Sequence, residues 1–225
     1  MIQIRYSGII VGMKYTESII NSGIFDRLKK TQHNEAFEQL KITGKKFTAG
    51  EAIFYEGDKI DKICIVGKGS VCSEKTYLEG EVHILDVYEE DSIFALEVAL
   101  SKTKRSAADY ICNEDSVIVF VSLSSIDKSA YAEEIRSVLT YKLSDSNIRM
   151  AHKIEILAER GLRDRILVYL NILRRKAGSD TVTVRMNREQ FAQFLCVNRS
   201  ALSNELNKMK KEGVIDFKKD RFTIL

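Results

Sequence analysis

Four polar side chains near the C-terminus have types and a spacing that could read the bases of a nucleic acid. They are Arg199, Ser200, Ser203 and Asn204. Arginine can donate two hydrogen bonds to guanine, asparagine can pair with adenine through two bonds, and serine can serve either base. Side chains of this kind read bases when a rigid element carries them into the major groove. Their use therefore depends on the element that presents them.

The surrounding sequence predicts two short helices joined by a tight turn. Asn187 can cap the first helix, Asn198 can cap the second, and Gly213 can end the second. The second helix has its apolar residues on one face, at helical spacing: Leu202, Leu206 and Met209. Two helices joined by a turn of about three residues form a helix-turn-helix, whose second helix enters the major groove of DNA. Two helices that only pack in a core are the alternative interpretation.

Basic side chains accompany this helix pair. Those expected to contact DNA are Arg188, Lys208, Lys210 and Lys218. Cations near the phosphates add affinity without base preference. Residues 214–217 and 222–225 are predicted to form two short strands joined by a charged turn. Such a hairpin would be a wing beside the phosphates.

The net charge of +3 conceals an uneven distribution. Residues 151–225 contain 16 basic and 9 acidic residues, whereas residues 1–150 contain 19 and 23. Cations close to phosphates release condensed counterions, so the surplus in the C-terminal part favours a polyanion as partner. A solubilising charged surface is the alternative interpretation.

The length of 225 residues allows two domains, each with its own core. The longest apolar runs, such as residues 63–66, are far shorter than the roughly 20 residues that span a bilayer, so no membrane partner is expected. The N-terminus lacks a clear signal-peptide cleavage site, which predicts a cytoplasmic protein. Four cysteines occur without a CxxC pair, which indicates reduced thiols rather than a disulfide scaffold or a zinc site.

Short apolar runs separated by glycine turns occupy residues 40–121. Turn residues recur every 8 to 12 positions, which predicts an antiparallel roll or barrel. Residues 68–69 are predicted to form a two-residue hairpin turn, with Cys64 and Cys72 on opposite faces. A three-residue loop, which would make the two thiols neighbours, is the alternative.

Residues 129–159 contain no glycine and many helix formers, which predicts one long helix. Five of its residues follow the 4, 3, 4, 3 spacing of a coiled-coil seam: Leu143, Asn147, Met150, Ile154 and Leu157. This spacing predicts a homodimer, in which the polar Asn147 would fix the pairing at some expense of stability. Packing of the helix on its own domain is the alternative. A second helix is predicted between Gly161 and Gly178.

These segments together resemble the cyclic AMP receptor/FNR superfamily of bacterial transcription regulators, and more closely its firmicute members. The stretches FTAGEAIFYEGD and IVGKGSV are similar to the family's effector-binding roll, and NREQFAQFLCVNRSALSNELNKMKKEGVI is similar to its DNA reader. The resemblance covers most of the chain from Asp26. It implies a dimer joined by the long helix and a palindromic operator in double-stranded DNA, read by two helices one DNA turn apart. RNA polymerase is a candidate further partner.

The predicted fold is therefore of the α+β class. Residues 1–128 are expected to form an antiparallel β-roll, a jelly roll of the cyclic-nucleotide-binding type that senses a small molecule. Residues 129–160 are expected to form the dimerisation helix, and residues 161–225 a winged helix-turn-helix. The predicted function is a dimeric, sequence-specific transcription regulator controlled by that small molecule.

The resemblance also implies an effector site in the roll. Cyclic-nucleotide binders of the family hold the ribose with a Gly-Glu step at a helix start and the phosphate with Arg-Ser. Here Glu97, Arg105 and Ser106 match part of this pattern, but the glycine is absent and Glu97 stands only eight residues before Arg105. Ungapped counting puts Met150 where cyclic AMP receptors place a polar purine contact. These departures weaken cyclic AMP as the effector.

Neither an iron-sulfur cluster nor a haem is expected. The first cysteine is Cys64, inside a predicted strand, so the N-terminal cluster motif of other family sensors is missing. The three histidines are scattered along the chain, and thiol sensing through Cys72 or Cys112 stays open.

Two other functions are alternatives. One is a cupin-like metal-dependent enzyme, which would need several converging histidines. The other is a cyclic-nucleotide-sensing module without DNA contact.

Overall fold

The structure is a computed structural model, and it describes residues 13–225. The prediction that the N-terminus is not a secretory signal falls largely on residues 1–12, which lie outside the described residues. Among the described helices, none combines the length and the apolar character that crossing a bilayer requires.

The chain divides into two compact units. The first contains Met1–Ser73 and Tyr88–Ser146, and the second contains Glu74–Val87 and Asn147–Leu225. The domain boundaries that the sequence places at residues 128 and 160 stay predictions.

Eight strands build the predicted antiparallel roll. In chain order they are β1 (Ile42–Phe47), β2 (Ala52–Phe54), β3 (Lys62–Lys68), β4 (Val71–Thr76), β5 (Val82–Tyr88), β6 (Ile93–Phe94), β7 (Asp109–Cys112) and β8 (Ser116–Ser122). They form two sheets of four strands, in the orders β1-β8-β3-β6 and β2-β7-β4-β5. The pairs β1–β8, β3–β8, β3–β6 and β2–β7 are antiparallel. The roll predicted from the spacing of turns is confirmed.

The helices that accompany the roll are α1 (Met13–Asn21), α2 (His33–Gln39), α3 (Leu96–Leu100), α4 (Leu123–Lys128) and α5 (Ala132–Ala158), with a short 3-10 helix at Lys30–Gln32. Successive residues of β3 alternate between two hydrophobic cores. Ile63 and Ile65 lie in a core that also receives Phe37 of α2, whereas Cys64 and Val66 lie in a second core. Because neighbouring residues of a strand point to opposite faces, β3 is buried on both sides. This burial explains its continuous apolar run.

The predicted hairpin turn at residues 68–69 is wrong. The strands on either side of it, β3 and β4, belong to different sheets. Gly69 has a φ of +85°, and a Cβ there would lie 2.4 Å from the hydroxyl of Ser116, so the chain crosses between the sheets on a glycine. The alternative three-residue hairpin is wrong for the same reason. Cys64 and Cys72 are free, buried thiols.

The predicted long helix is confirmed as α5. Its first turns are anchored, since Ile135 and Leu139 are buried in the core that contains Ile63. Leu143, expected in the coiled-coil seam, packs against the same core. Exposed residues with heptad-like spacing, two of which also belong to the predicted seam, form a line called here the α5 ridge: Ser144, Asn147, Ala151, Ile154 and Ala158. Leu143 contributes to the core of its own domain, and the coiled-coil seam stays a prediction.

The C-terminal elements are α6 (Leu162–Ala177), β9 (Thr181–Thr183), α7 (Arg188–Phe194), α8 (Arg199–Lys211), β10 (Ile215–Lys218) and β11 (Arg221–Ile224). Their strands form an antiparallel sheet in the order β10-β11-β9. Gly161 precedes α6, and Gly178 ends it with a left-handed φ of +62°, as predicted. The core under these elements is built from buried apolar side chains that include Phe191, Leu195, Leu202, Leu206, Met209 and Phe222. The predicted winged helix-turn-helix is confirmed.

Candidate nucleic-acid interface

Both predicted helix caps of the helix-turn-helix are present. At the start of α7, the Asn187 side chain accepts a hydrogen bond from the Gln190 N–H at 2.9 Å, and the Gln190 side chain accepts one from the Asn187 N–H at 3.0 Å. At the start of α8, the Asn198 side chain accepts from the Ala201 N–H at 2.7 Å. These bonds satisfy N–H groups that have no partner within the helices, so both starts are well defined.

The turn between α7 and α8 passes through Cys196 in a left-handed conformation, with a φ of +56°. A residue with a Cβ costs about 1 to 2 kcal/mol in this region, which glycine adopts freely. Backbone bonds close the turn: the Cys196 N–H donates to the Gln193 carbonyl at 3.2 Å, and the Val197 N–H donates to the Ala192 carbonyl at 3.0 Å. The angle between the two helices is thus set by backbone geometry.

Two cations bind the carbonyl groups at the end of α7. Lys153 of α5 donates to the carbonyls of Phe194 and Ile84, the latter at 3.1 Å. Arg165 of α6 donates to the Leu195 carbonyl at 3.0 Å. Burial lowers the pKa of Lys153 to about 8. This arrangement could not be predicted from local sequence, since the partners are 30 to 69 residues apart in the chain.

The predicted reading residues lie on the solvent side of α8. Arg199, Ser200 and Asn204 are exposed and Ser203 is half-buried, while the apolar residues of the helix face the core. The Ser200 hydroxyl donates to the Asn198 side chain at 2.8 Å, which leaves its oxygen able to accept a bond. The face thus offers both donors and acceptors, as base edges require.

One residue of this face was missed by the sequence analysis. Asn207 is exposed and follows Ser203 and Asn204 by four and three positions, so it continues the same side of α8 by one turn. The helical spacing of Asn207 from Ser203 and Asn204 is the signal in the sequence that identifies it.

Two acidic residues, Glu205 of α8 and Glu212 directly after it, are paired with a cation of α6. Arg163 of α6 binds Glu205 through Nε at 2.7 Å and Glu212 through Nη1 at 2.6 Å. The bond from Arg163 lowers the pKa of the Glu212 carboxyl, and the two carboxylates raise the pKa of Arg163. The pairing keeps α8 against α6 and reduces the repulsion that these carboxylates would exert on phosphates.

Two cations expected at the phosphates are engaged within the protein. The Arg188 guanidinium lies 5.0 Å from the ring centroids of Phe217 and Phe222. The Lys210 ammonium lies 2.5 Å from a carboxylate oxygen of Asp216. The other predicted contacts, Lys208 and Lys218, are exposed, as are Lys211, Lys219 and Arg221.

The residues that match the family's effector site occupy two places in the roll. Glu97 lies in the first turn of α3 and accepts a bond from the Tyr110 hydroxyl at 3.0 Å; burial raises the pKa of Tyr110. Ala95, just before α3, has a left-handed φ of +53°, so the backbone keeps the conformation that glycine favours although the residue is alanine. Arg105 is exposed and donates to the Gly57 carbonyl at 3.0 Å.

Ser106 is buried, and its hydroxyl donates to the Ala108 carbonyl at 2.6 Å. The Ser106 carbonyl accepts a hydrogen bond from the Gly57 N–H at 2.8 Å, and the Ser106 N–H donates to the Asp58 carbonyl at 2.9 Å. Met150 is exposed on α5. The roles of these residues in effector binding stay predictions. Within residues 13–225, no group of three or more His, Cys, Asp or Glu side chains could hold a metal ion.

Comparisons with known proteins give two family matches. Residues 44–129 match the model of the cyclic nucleotide-binding domain, and residues 149–225 match the model of the Crp-like helix-turn-helix domain. The global nitrogen regulator of Synechococcus elongatus is 23% identical over 193 residues, which cover 83% of this chain and 87% of that protein.

Solved structures of similar fold include FixK2 from Bradyrhizobium japonicum, with a TM-score of 0.67 and 18% identity over 82% of this chain and 93% of that chain. A CooA mutant from Carboxydothermus hydrogenoformans has a TM-score of 0.70 and 16% identity, over 84% of this chain and 85% of that chain. Both units of the chain thus have counterparts in proteins of one architecture.

Proposed function

Because the chain belongs to the cyclic AMP receptor/FNR family of transcription regulators, we propose that it reads a palindromic operator with the two α8 helices of a homodimer. Dimer formation and DNA binding follow from the family, and so does a role as a regulator rather than an enzyme. The cupin-like enzyme and the sensing module without DNA contact are therefore excluded as functions. The closer likeness to firmicute members stays a prediction.

The observation that carries the proposal is the arrangement of α8. Arg199, Ser200 and Asn204 are exposed together on one side, while the opposite side is buried in the core. Exposed cations of the wing lie in the same unit, and the acidic Glu205 and Glu212 are held by Arg163. A helix arranged in this way can present base-reading groups without like charges next to the phosphates.

The dimer forms along the α5 ridge in this proposal. The ridge consists of small and polar residues around one large apolar residue, Ile154, and the exposed Ile148 and Met150 flank it. Small residues allow two helices to approach closely, and Asn147 can pair with its counterpart and fix the register. Residues 129–160 are thus the dimerisation helix, between a sensing domain at 1–128 and a DNA-binding domain at 161–225.

The effector of the proposed regulator is a small molecule that binds the roll near Glu97, Arg105 and Ser106. The Nη1 group of Arg105 donates to the Gly57 carbonyl, and the other N–H groups of this exposed guanidinium can donate to an anionic ligand. The protein acts in the cytoplasm, where it meets DNA, and RNA polymerase is its further partner at a promoter. Native mass spectrometry of freshly purified protein, which detects a bound small molecule by its mass, identifies the effector.

A DNase footprint and a gel shift with the promoter of the protein's own operon test the proposal. We expect a protected palindrome whose half-sites are about 10 base pairs apart from centre to centre. At two salt concentrations, log K should fall linearly with log salt, as neutralised phosphates release counterions. Equal binding to a scrambled duplex of the same length would contradict sequence-specific reading.

A further inference from the structure

We infer that Phe217 is a positioning residue, which fixes the wing so that the cations of its turn meet the phosphates beside the operator. The wing is the hairpin of β10 and β11, residues 215–224. The inference rests on the proposed function, because it concerns how a wing that binds DNA is held. Phe217 lies near the end of β10 and is half-buried.

The C-terminal sheet holds β10 along one edge only. β10 is an edge strand of this three-stranded sheet and pairs with β11 through four residues, while β11 also pairs with β9. Ile215 at the start of β10 is buried, whereas residues 217–218 at its end are half-buried or exposed. Contacts from outside the sheet therefore add to the anchoring of the far end of the hairpin.

Two cations from two helices contact the ring of Phe217. The guanidinium carbon of Arg188, on α7, lies 5.0 Å from the ring centroid, and the ammonium of Lys210, on α8, lies 5.2 Å from it. The face of an aromatic ring attracts cations within about 6 Å. The ring also stacks on Phe222, which is fully buried, with centroids 5.4 Å apart. Phe217 thus joins both helices of the DNA reader and the core at one point of the wing.

The same cations also bind the hairpin directly. Arg188 donates from Nη2 to the Lys219 carbonyl at 3.0 Å. Lys210 donates to the Phe217 carbonyl at 3.3 Å and pairs with Asp216 at 2.5 Å. Partial burial lowers the pKa of Arg188. Both cations are therefore occupied in holding the wing, although the sequence predicts them at the phosphates.

The exposed cations of the wing itself lie at its turn: Lys218 ends β10, Lys219 is in the turn, and Arg221 begins β11. Lys219 has a left-handed φ of +57°, and its carbonyl is the one that Arg188 binds. The orientation of the turn thus depends on Arg188 staying over Phe217. Removal of the Phe217 ring takes away the ring surface that Lys210 contacts and leaves Arg188 with the ring of Phe222 alone, and a less fixed turn has to be ordered when DNA binds.

The substitution Phe217→Leu tests this inference, because leucine keeps an apolar side chain but has no ring face. Fluorescence anisotropy with an operator duplex, over a salt series, gives the affinity and its salt dependence. We expect the affinity to fall about fivefold at about 0.1 M salt, and the slope of log K against log salt to decrease by about 0.9 or more, the contribution of one phosphate. Phe217→Tyr, which keeps the ring, should leave both values unchanged.

A second measurement separates positioning from general destabilisation. The variant with Lys218→Ala, Lys219→Ala and Arg221→Ala is made in the wild-type and in the Phe217→Leu background. Each phosphate contact contributes about 0.9 to the slope, so the triple change should lower the slope strongly in the wild type and much less when Phe217 is leucine. If Phe217→Leu does not fold, as judged by thermal melting, Arg188→Gln serves as the second background, with the same expectation.

Three outcomes are distinguishable. An unchanged salt slope in Phe217→Leu, or an equal effect of the triple change in both backgrounds, overturns the role of Phe217 while the proposed function stands. A smaller fraction of DNA-binding protein in Phe217→Leu, with the salt slope of the wild type, also overturns the role of Phe217, since that result shows destabilisation alone. Wild-type protein that binds operator and scrambled duplex alike contradicts the proposed function instead.

Discussion

The DNA-reading helix α8 and the loop before β7 both carry residues that match contact residues of the family, but the structure uses them differently. On α8, Arg199 and Asn204 are exposed towards solvent. In the loop, Ser106 is buried and bonded to a backbone carbonyl, and Arg105 donates to another. The first region leaves these matched side chains exposed to solvent, whereas the second uses its matched side chains to hold its own loop.

The difference shows where each region obtains its rigidity. Around α8 other cations hold the elements in place: Arg163 binds Glu205 of the helix and Glu212 directly after it, and Lys153 and Arg165 bind carbonyls at the end of α7. In the loop, the Ser106 hydroxyl and one N–H group of Arg105 are engaged in hydrogen bonds of the loop itself, each with a net value of about 0.5 to 1.5 kcal/mol. The loop is thus held by the side chains that match the family's contact residues, whereas α8 is held by other side chains.

The largest expected effect separates the two sides of α8. Leu206 is buried, so Leu206→Ala should lower the free energy of unfolding by about 2 to 5 kcal/mol. The matched control is the next residue, since Asn207 is exposed. Asn207→Ala should change the free energy of unfolding by less than about 0.5 kcal/mol but weaken operator binding. Urea unfolding and anisotropy measure the two; equal destabilisation by both changes would contradict the assignment of faces.

Lys153 tests whether a scaffold cation affects stability in a way that depends on pH. Its pKa is lowered from 10.5 in the unfolded chain to about 8 in the folded protein. Between these pH values the unfolded chain binds a proton that the folded protein lacks, so the stability contributed by Lys153 rises with pH. Below pH 8 both states are protonated, and the contribution is constant.

The measurement compares the wild type with Lys153→Met by urea unfolding from about pH 7 to pH 10.5. The difference in the free energy of unfolding should rise by roughly 3 kcal/mol in favour of the wild type across the upper part of this range. Subtraction of the variant removes the titration of other lysines and tyrosines. A difference that stays flat with pH would show that the amine is not perturbed by burial.

Local signals in the sequence predicted much of the DNA reader. The caps at Asn187 and Asn198 and the left-handed end of α6 at Gly178 depend on neighbouring residues, so their signals are contained in short stretches. The predicted pairing of β3 with β4 was wrong, because a strand with an apolar run can pair with the next strand in the chain or with a distant one. Nothing in the chain near residue 68 distinguishes these choices.

The scaffold contacts could not be predicted for a related reason. Arg163 and Glu205 are 42 residues apart, and only the packing of α6 against α8 brings them together. The spacing of Leu143 fits a coiled-coil seam and a domain core equally well, and in the structure Leu143 packs against the core. The two rings of the wing over which Arg188 lies could not be predicted either, because Phe217 and Phe222 are about 30 residues away in the chain. The phosphate contact of Arg188 stays a prediction.

A substitution of Arg199 tests whether the exposed face of α8 reads DNA bases. Arg199→Ala should weaken binding to the preferred operator by about 1 to 3 kcal/mol and relax the preference at one base position, because an arginine that reads a base contributes discrimination. Lys208→Ala, in the same helix, should weaken binding to all DNA sequences similarly. It should also reduce the slope of log K against log salt by about 0.9, the contribution of one phosphate contact. Anisotropy with the operator and with single-base variants distinguishes them. Identical behaviour of the two variants would mean that α8 is not the reading helix.

The smallest effects are expected in the loop, where two adjacent residues should respond differently. Ser106→Ala removes a buried hydroxyl and leaves the Ala108 carbonyl without that donor, so the free energy of unfolding should fall by about 1 kcal/mol. Arg105→Ala removes an exposed side chain with one bond to a carbonyl, so stability should change by less than about 0.5 kcal/mol. DNA affinity without effector should be unchanged in Arg105→Ala, while its response to the co-purified small molecule should be lost. A normal response in that variant would show that the loop holds only itself, and that the effector is bound elsewhere in the roll.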